Sequence, residues 1–324
     1  MDFQQVKKLL KRIKVIKPKI LVIGDIMLDC YVSGSVSRIS PEAPVPILSF
    51  DKEKNVLGGA GNVVHNLVNL GAEVSLATII GSDLEGETIR NLINKLKISS
   101  ENIYSTPKIQ TTKKTRFISN ATHLLRLDND SKGYTKRDFI LFENKVIKSI
   151  TKLDCIIVSD YDKGVCTDSL IRKIIIKASN NKIPVFVDPK GKNWNKYSNA
   201  TCLTPNKKEA ESELGLNLVN DLDYEKASQL IIDKYKLKSC LITRGSEGMT
   251  YNISNNIFHQ KVSKKEVFDV SGAGDLVIAC IGLAYASKLV VEEYIELSSE
   301  LSSEVVEYVG TVPFSMDMLK KRYA

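Results

Sequence analysis

One tryptophan, three histidines and six cysteines are scattered through 324 residues, and none falls in a pattern that chemistry requires. Cys30, Cys155, Cys166, Cys202, Cys240 and Cys280 lie far apart, with no C-x-x-C and no histidine at ligand spacing. That excludes zinc-ribbon and dithiol redox chemistry, and free thiols in apolar runs suit a reducing compartment. His65, His123 and His259 are isolated and read as structural or surface residues. No apolar run reaches membrane-spanning length. Residues 1–19 place Val6, Leu9, Leu10 and Ile13 at helical spacing among lysines. They lack the uninterrupted apolar stretch of a signal peptide, so a helix packed on the domain edge and a cytoplasmic protein are expected. The charge of +8 and pI ≈ 9.0 come from lysines spread along the chain. Without a basic stripe interleaved with aromatics, nucleic acid is not the expected partner. The excess fits an anionic small substrate, or a Lys-, Ile- and Asn-rich genome. Internal repeats, low-complexity linkers and the G-x-x-x-x-G-K-[ST] phosphate loop are also missing.

What the chain does have is Asp269-Val270-Ser271-Gly272-Ala273-Gly274-Asp275, running into the apolar segment 276–286. Small residues let the backbone turn tightly before a buried helix, leaving N–H groups and the positive dipole end for an anion. A carboxylate beside such an anion is unfavourable unless it has a task, such as taking a proton from an attacking hydroxyl. Phosphoryl transfer needs that pair of functions. Read alone, the motif is equally a Gly-rich turn capping a core helix.

The remaining chain is ordered as alternating strands and helices. Short apolar runs at 19–24, 73–80, 155–159, 184–187, 201–203 and 240–243 read as buried parallel strands, and amphipathic segments between them as helices. This predicts an α/β fold with a mostly parallel sheet covered on both faces. The Pro-punctuated stretch 27–50 and the alternating stretch 111–127 break that rhythm and are expected to form one small accessory sheet. A short antiparallel piece is expected over 249–259. Ligands in such folds bind beyond the carboxyl ends of the strands, where Asp25, Asp160, Asp188, Asn206 and Arg244 fall.

Several shorter motifs have two readings each. Gly58-Gly59-Ala60-Gly61 lacks the third glycine of a dinucleotide site, since Val64 stands there. Asn206-Lys207-Lys208-Glu209 either positions Mg²⁺ through water near nucleotide phosphates or is a capping box. Thr243-Arg244-Gly245-Ser246-Glu247-Gly248 is either a hairpin turn, which is favoured, or a phosphate-side loop. Asp25 and Asp29 either grip sugar hydroxyls, or Asp25 only ends a strand.

Taken together and in order, these segments resemble the ribokinase/PfkB-type carbohydrate kinases. Residues 58–86 resemble the first signature of that family, 269–275 the second, and 206–209 its N-x-x-E element. The likeness covers essentially the whole chain. Residues 38–46, 124–128, 159–165 and 187–191 further resemble the D-glycero-β-D-manno-heptose-7-phosphate kinases of the family. Many such relatives carry a C-terminal adenylyltransferase with an H-x-G-H motif, absent here, so a stand-alone kinase is expected.

The resemblance implies a ribokinase-like fold in a single domain, 1–324, with lid strands inserted at about 27–50 and 111–127. It implies ATP- and Mg²⁺-dependent phosphorylation of O1 of the heptose 7-phosphate, supplying ADP-heptose for lipopolysaccharide. Asp275 would be the base, and Gly272, Ala273 and Gly274 would neutralise the γ-phosphoryl group. Asp25, Asp29, Gly58, Gly59, Asn62 and Asp160 would hold the sugar. Lys114, Arg116, Arg126 and Lys190 are the candidate clamp on the 7-phosphate, as cations among apolar neighbours. Asn206, Glu209, Thr243, Arg244, Gly245, Ser246, Gly248 and Ser271 fall to the nucleotide, with Glu209 on Mg²⁺ through water. Asp269 falls near a monovalent cation such as K⁺. The family lid implies a homodimer, and the pathway a separate adenylyltransferase. Rival readings are a kinase of ribose, fructose or another phosphosugar, and a non-catalytic sugar or nucleotide sensor. A regulatory subunit for the adenylyltransferase is a third. Leu276 and the serines of 299–303 depart from the residues common in relatives.

Overall fold

The computed structural model describes residues 1–120, 122–131, 134–254, 256–262 and 269–323. Ala121 of the second expected hairpin and Asn255 of the expected 249–259 piece lie outside them.

Strands β1 (Lys19–Gly24), β4 (Glu73–Gly81), β5 (Ile103–Thr106), β8 (Cys155–Ser159), β9 (Val185–Asp188), β10 (Cys202–Leu203) and β11 (Ser239–Thr243) form the parallel part of a nine-stranded sheet. The antiparallel pair β12 (Met249–Ile253) and β13 (Asn256–Gln260) completes it, in the order β13-β12-β11-β10-β9-β8-β1-β4-β5. Strand side chains alternate between faces, and here both faces are apolar. Ile20, Val22 and Ile157 enter one core, Leu21, Ile23 and Val158 the other. Helices must therefore cover both sides. The first core is closed by α1 (Phe3–Ile16), α2 (Ala60–Leu70), α3 (Leu84–Lys95), α8 (Ala273–Ala286), α9 (Val291–Val305) and α10 (Met316–Tyr323). The second is closed by α4 (Lys136–Ser149), α5 (Asp168–Asn180), α6 (Lys207–Leu214) and α7 (Asp221–Tyr235).

Helix α1 begins at a capping box between Asp2 and Gln5, buries Val6, Leu9, Leu10 and Ile13, and stops at left-handed Lys17 before Pro18. It packs on the domain as its spacing predicts. Among the described residues no helix is long and apolar enough to cross a membrane.

The two irregular stretches do form one sheet, in the order β3-β2-β6-β7. Its strand β2 (Ile26–Ile39) keeps to the expected range, whereas β3 (Pro46–Gly59) runs well past residue 50, with the Pro-rich segment as their turn. Strands β6 (Lys113–Ser119) and β7 (Thr122–Asn129) make the second hairpin, and β6 joins β2 in parallel. Strand β5 was not expected: Ile103-Tyr104-Ser105-Thr106 is too short and mixed to carry a periodic signal.

Candidate active site

A cleft of about 200 Å³ opens at the carboxyl ends of the parallel strands, lined by Tyr161, Asp188, Lys190, Asn206, Glu209, Thr243, Gly272, Gly274 and Asp275 among others. Its floor is the first turn of α8. Gly272 stands before that turn at φ 83°, a left-handed conformation that suits glycine. A Cβ there would also come within 2.6 Å of Asn62 Nδ2. The Ala273 N–H reaches the Val270 carbonyl at 3.3 Å. The N–H groups of Gly274 and Asp275 have no acceptor among the described residues, as the first turn of a helix dictates. A Cβ on Gly274 would meet nothing within 4 Å, and Gly274 and Asp275 both line the cleft. The turn does cap the core helix α8, and two of its first-turn N–H groups have no acceptor among the described residues.

Asp275 is 3% exposed and on the same turn. Its Oδ2 accepts from Asn62 Nδ2 at 2.9 Å, and its Oδ1 from the Tyr161 hydroxyl at 2.7 Å. Burial pushes its pKa up to about 6, opposed by the hydrogen bonds from Asn62 and Tyr161. Such a carboxylate is ionised at neutral pH yet basic enough to take a proton from a hydroxyl.

The small sheet approaches the cleft residue Tyr161 through Lys114. Asp29 on β2 is the register partner of Lys114 on β6, and Tyr31 that of Arg116. Arg116 Nη1 donates to Asp29 Oδ1 at 2.6 Å, and its guanidinium lies 5.3 Å from the Tyr31 ring centre. Thr311 completes this buried group, donating to Asp29 Oδ2 at 2.9 Å. Gly58 must lack a side chain, because a Cβ would lie 2.4 Å from Asp29 Oδ2. Lys114 is half-buried above the Tyr161 ring, 5.8 Å from its centre, without a carboxylate in ion-pair range among the described residues. Burial lowers its pKa.

Several expected site residues are placed otherwise. Asp25 is 1% exposed and accepts the backbone N–H groups of Tyr161, Lys163 and Val165 at 2.8, 3.2 and 2.9 Å. It therefore holds a loop. Burial first, then Asp160, raises its pKa to about 6. Asp160 does line the cleft, and its buried carboxylate accepts from Lys196 Nζ at 2.6 Å and the Tyr197 hydroxyl at 2.7 Å.

The four cations named as a phosphate clamp do not all meet. Lys114, Arg116 and Arg126 share one lid face, since Arg126 opposes Arg116 and Asp128 opposes Lys114. Arg126 is exposed and forks onto Asp128 at 2.9 and 3.0 Å. Lys190 sits apart, with Nζ 2.6 Å from Glu209 Oε1.

On the other side of the cleft Asn206 and Glu209 form the capping box of α6, with Asn206 Oδ1 accepting from Glu209 N at 3.0 Å. The box fixes Glu209 at the cleft, which Asp188 also lines. Asp188 holds its pKa well above the usual carboxylate range through burial, then the charges of Glu209 and Asp275. Crowded carboxylates of this kind are the donor type that a hard divalent cation takes.

Thr243 lines the cleft, but Arg244 does not: its guanidinium stacks 4.1 Å from the Tyr224 ring centre and pairs with Asp221 at 2.6 Å. Gly245, Ser246 and Gly248 build the tight turn between β11 and β12, so the hairpin reading holds. Ser271 donates its N–H to Asp269 Oδ1 at 2.9 Å, and Gly310 donates to Oδ2 at 2.9 Å. Asp269 thus ties two loops together, with one acceptor site left on each carboxylate oxygen.

Tyr161 and Thr311 were missed as individual site residues. Tyr161 lies inside the resembling stretch 159–165, which was its only signal, and Thr311 had none.

Residues 17–317 match the pfkB family carbohydrate kinase description. Curated relatives include the "Bifunctional protein HldE" of Sulfurimonas denitrificans, 39% identical over 96% of this chain and 65% of its own length. That of Campylobacter curvus is 39% identical over 91% of this chain and 63% of its own. The chain thus spans just under two thirds of these relatives. Among solved structures, phosphofructokinase-2 from Escherichia coli in complex with substrates and products superposes with TM-score 0.80 at 20% identity, over 94% of this chain and 98% of that one. Arabidopsis thaliana ribokinase complexed with ribose and ATP gives TM-score 0.72 at 17% identity, over 94% and 98%. These structures establish the fold as ribokinase-like. By its sequence match, the chain belongs to the pfkB family of carbohydrate kinases, phosphotransferases that act on a sugar hydroxyl.

Proposed function

We propose that this kinase transfers the γ-phosphoryl group of ATP to O1 of D-glycero-β-D-manno-heptose 7-phosphate, giving the 1,7-bisphosphate. One observation carries the reading. A buried carboxylate, Asp275, faces the cleft from the same helical turn that presents the unpartnered N–H groups of Gly274 and Asp275. In that arrangement Asp275 takes the O1 proton, O1 bonds to the γ-phosphorus, and the bond to the β,γ-bridging oxygen breaks to release ADP. The helix N-terminus stabilises the charge on the transferring group. Asp188 and Glu209 would hold Mg²⁺, which when bound would supply charge neutralisation on the triphosphate. Gly58, Gly59, Asn62 and Asp29 would hold the sugar in this reading.

The heptose assignment rests on the resemblance at 38–46, 124–128, 159–165 and 187–191, and on the cationic lid face. Lys114 is the candidate for the sugar's distal phosphate, because Arg116 is already paired with Asp29. The pathway reading, supply of ADP-heptose for lipopolysaccharide, follows from the same resemblance and implies a later adenylyl transfer to the sugar. The chain 1–324 is read as one kinase unit. A homodimer through the lid is also proposed. Leu125 and Leu127 alternate with Arg126 on β7 and are 62% and 59% exposed, an apolar strip that a second copy would cover.

The test is a substrate panel with Mg·ATP. One charge-assisted hydrogen bond from Lys114 to the distal phosphate gives a kcat/KM preference of roughly 10- to 100-fold for heptose 7-phosphate over heptose. Equal turnover of the two would remove the phosphate clamp. Higher turnover of fructose 6-phosphate or ribose would move the enzyme to another branch of the family.

A further inference from the structure

The Tyr161 hydroxyl reaches the one oxygen of Asp275 that Asn62 does not. It donates to Oδ1 at 2.7 Å, while Asn62 donates to Oδ2 at 2.9 Å. The tyrosine is held from several directions. Its N–H donates to Asp25 Oδ2 at 2.8 Å, and Lys163 and Val165 donate to the same carboxylate. Its ring lies under the Lys114 ammonium and beside Gly59, where a Cβ would stand 3.5 Å from Tyr161 Cδ2. Next to it, Asp160 is fixed by Lys196 and Tyr197.

A phenylalanine would fill this space equally well. What the hydroxyl adds is one directed donor, and its acceptor is the carboxylate at the floor of the cleft. Each carboxylate oxygen has two acceptor sites. With one donor on each oxygen, the group cannot rotate, and each oxygen keeps one site for a substrate hydroxyl.

We propose that Tyr161 is a positioning residue for the base: its hydroxyl fixes the orientation of the Asp275 carboxylate, and Asp25, through the backbone of 161–165, fixes Tyr161. The inference rests on the reading of Asp275 as the group that accepts the sugar proton. In that step the proton moves from the sugar oxygen to the free lone pair of Asp275, and Tyr161 keeps its own.

The experiment compares Tyr161→Phe with wild type in the full chain, with Mg·ATP and heptose 7-phosphate, across pH. Losing a hydrogen bond to a charged group lowers kcat by roughly 10-fold or more, with both KM values within about twofold. The acidic limb of kcat moves up by about 1 pH unit, because the remaining carboxylate binds its proton more tightly. Incorporating 3-fluorotyrosine at position 161, a stronger donor, retains activity and moves that limb down. A phenylalanine variant with wild-type kcat and pH profile overturns the proposal, as does one changed only in sugar KM. Should the phenylalanine variant fail to fold, an unmoved limb in the fluorinated protein overturns it. Asp275→Asn, measured alongside, separates the two levels. Turnover by Asp275→Asn sinks the base reading itself, whereas an inactive Asp275→Asn beside a wild-type-like Tyr161→Phe sinks only the positioning role.

Discussion

Asn62 Nδ2 and Asp275 Oδ2 lie 2.9 Å apart although 213 residues separate them in the chain. One side chain is on the first turn of α2 and the other on the first turn of α8, so this bond joins the two glycine-rich segments. Asn62 is itself steadied by Asn66, whose Nδ2 donates to the Asn62 carbonyl at 2.9 Å. Replacing Asn62 by Leu removes a donor to a buried charge and is expected to lower kcat by roughly 10-fold or more. Replacing it by Asp puts a like charge against Asp275, so the acidic limb of activity rises by at least about 1 pH unit. Steady-state kinetics across pH measure both effects.

The raised pKa of Asp275 gives opposite signs for activity and stability. Activity needs the ionised form and should climb as pH rises through about 6. The fold binds the proton more tightly than the unfolded chain, whose aspartate titrates near 3.8. Its contribution to stability is therefore full below about 3.8 and is lost as pH rises through about 6. Asp275→Asn abolishes that dependence. Asparagine keeps one acceptor oxygen for two donors, so the net gain at neutral pH is on the order of 1–2 kcal/mol. Urea unfolding should show an inactive but more stable variant at pH 7.5, with the advantage fading toward pH 4.

Two lid cations should separate binding from stability. Lys114 has no ion-pair partner among the described residues, so Lys114→Met is expected to raise the phosphosugar KM by roughly 10- to 100-fold. The ATP KM should hardly move. Arg116→Met instead strands Asp29, which is 3% exposed, and should destabilise the fold by about 3–5 kcal/mol. Denaturant unfolding of the two variants distinguishes them.

Asp188 and Glu209 both line the cleft, and the charge of Glu209 helps raise the pKa of Asp188. Removing one carboxylate of a Mg²⁺ site weakens the metal, so Asp188→Asn should need roughly 10-fold or more Mg²⁺ for half-maximal rate. Activity titrated against Mg²⁺ at saturating sugar and ATP reads this directly.

Much of the fold is written in local patterns. The run Lys19–Gly24 is apolar on both strand faces and can only be a covered parallel strand, and the Pro-rich stretch 40–46 can only be a turn or edge. Asp275 was legible because a carboxylate on a helical first turn beside small residues is chemically conspicuous. Other side chains depend on partners far away in sequence. Nothing near Arg244 reveals that it stacks on Tyr224, and nothing near Asp25 reveals three N–H donors from 161–165. Tyr161 was passed over for the same reason: its role is defined by an oxygen 114 residues downstream.

The most direct measurement is the position of phosphate on the product formed from Mg·ATP and D-glycero-β-D-manno-heptose 7-phosphate, read by ³¹P–¹³C coupling. A second phosphate coupled to C1, formed in step with ADP, is the expected result. Phosphate on any other carbon, or release of inorganic phosphate with the sugar unchanged, would contradict transfer to O1 at Asp275.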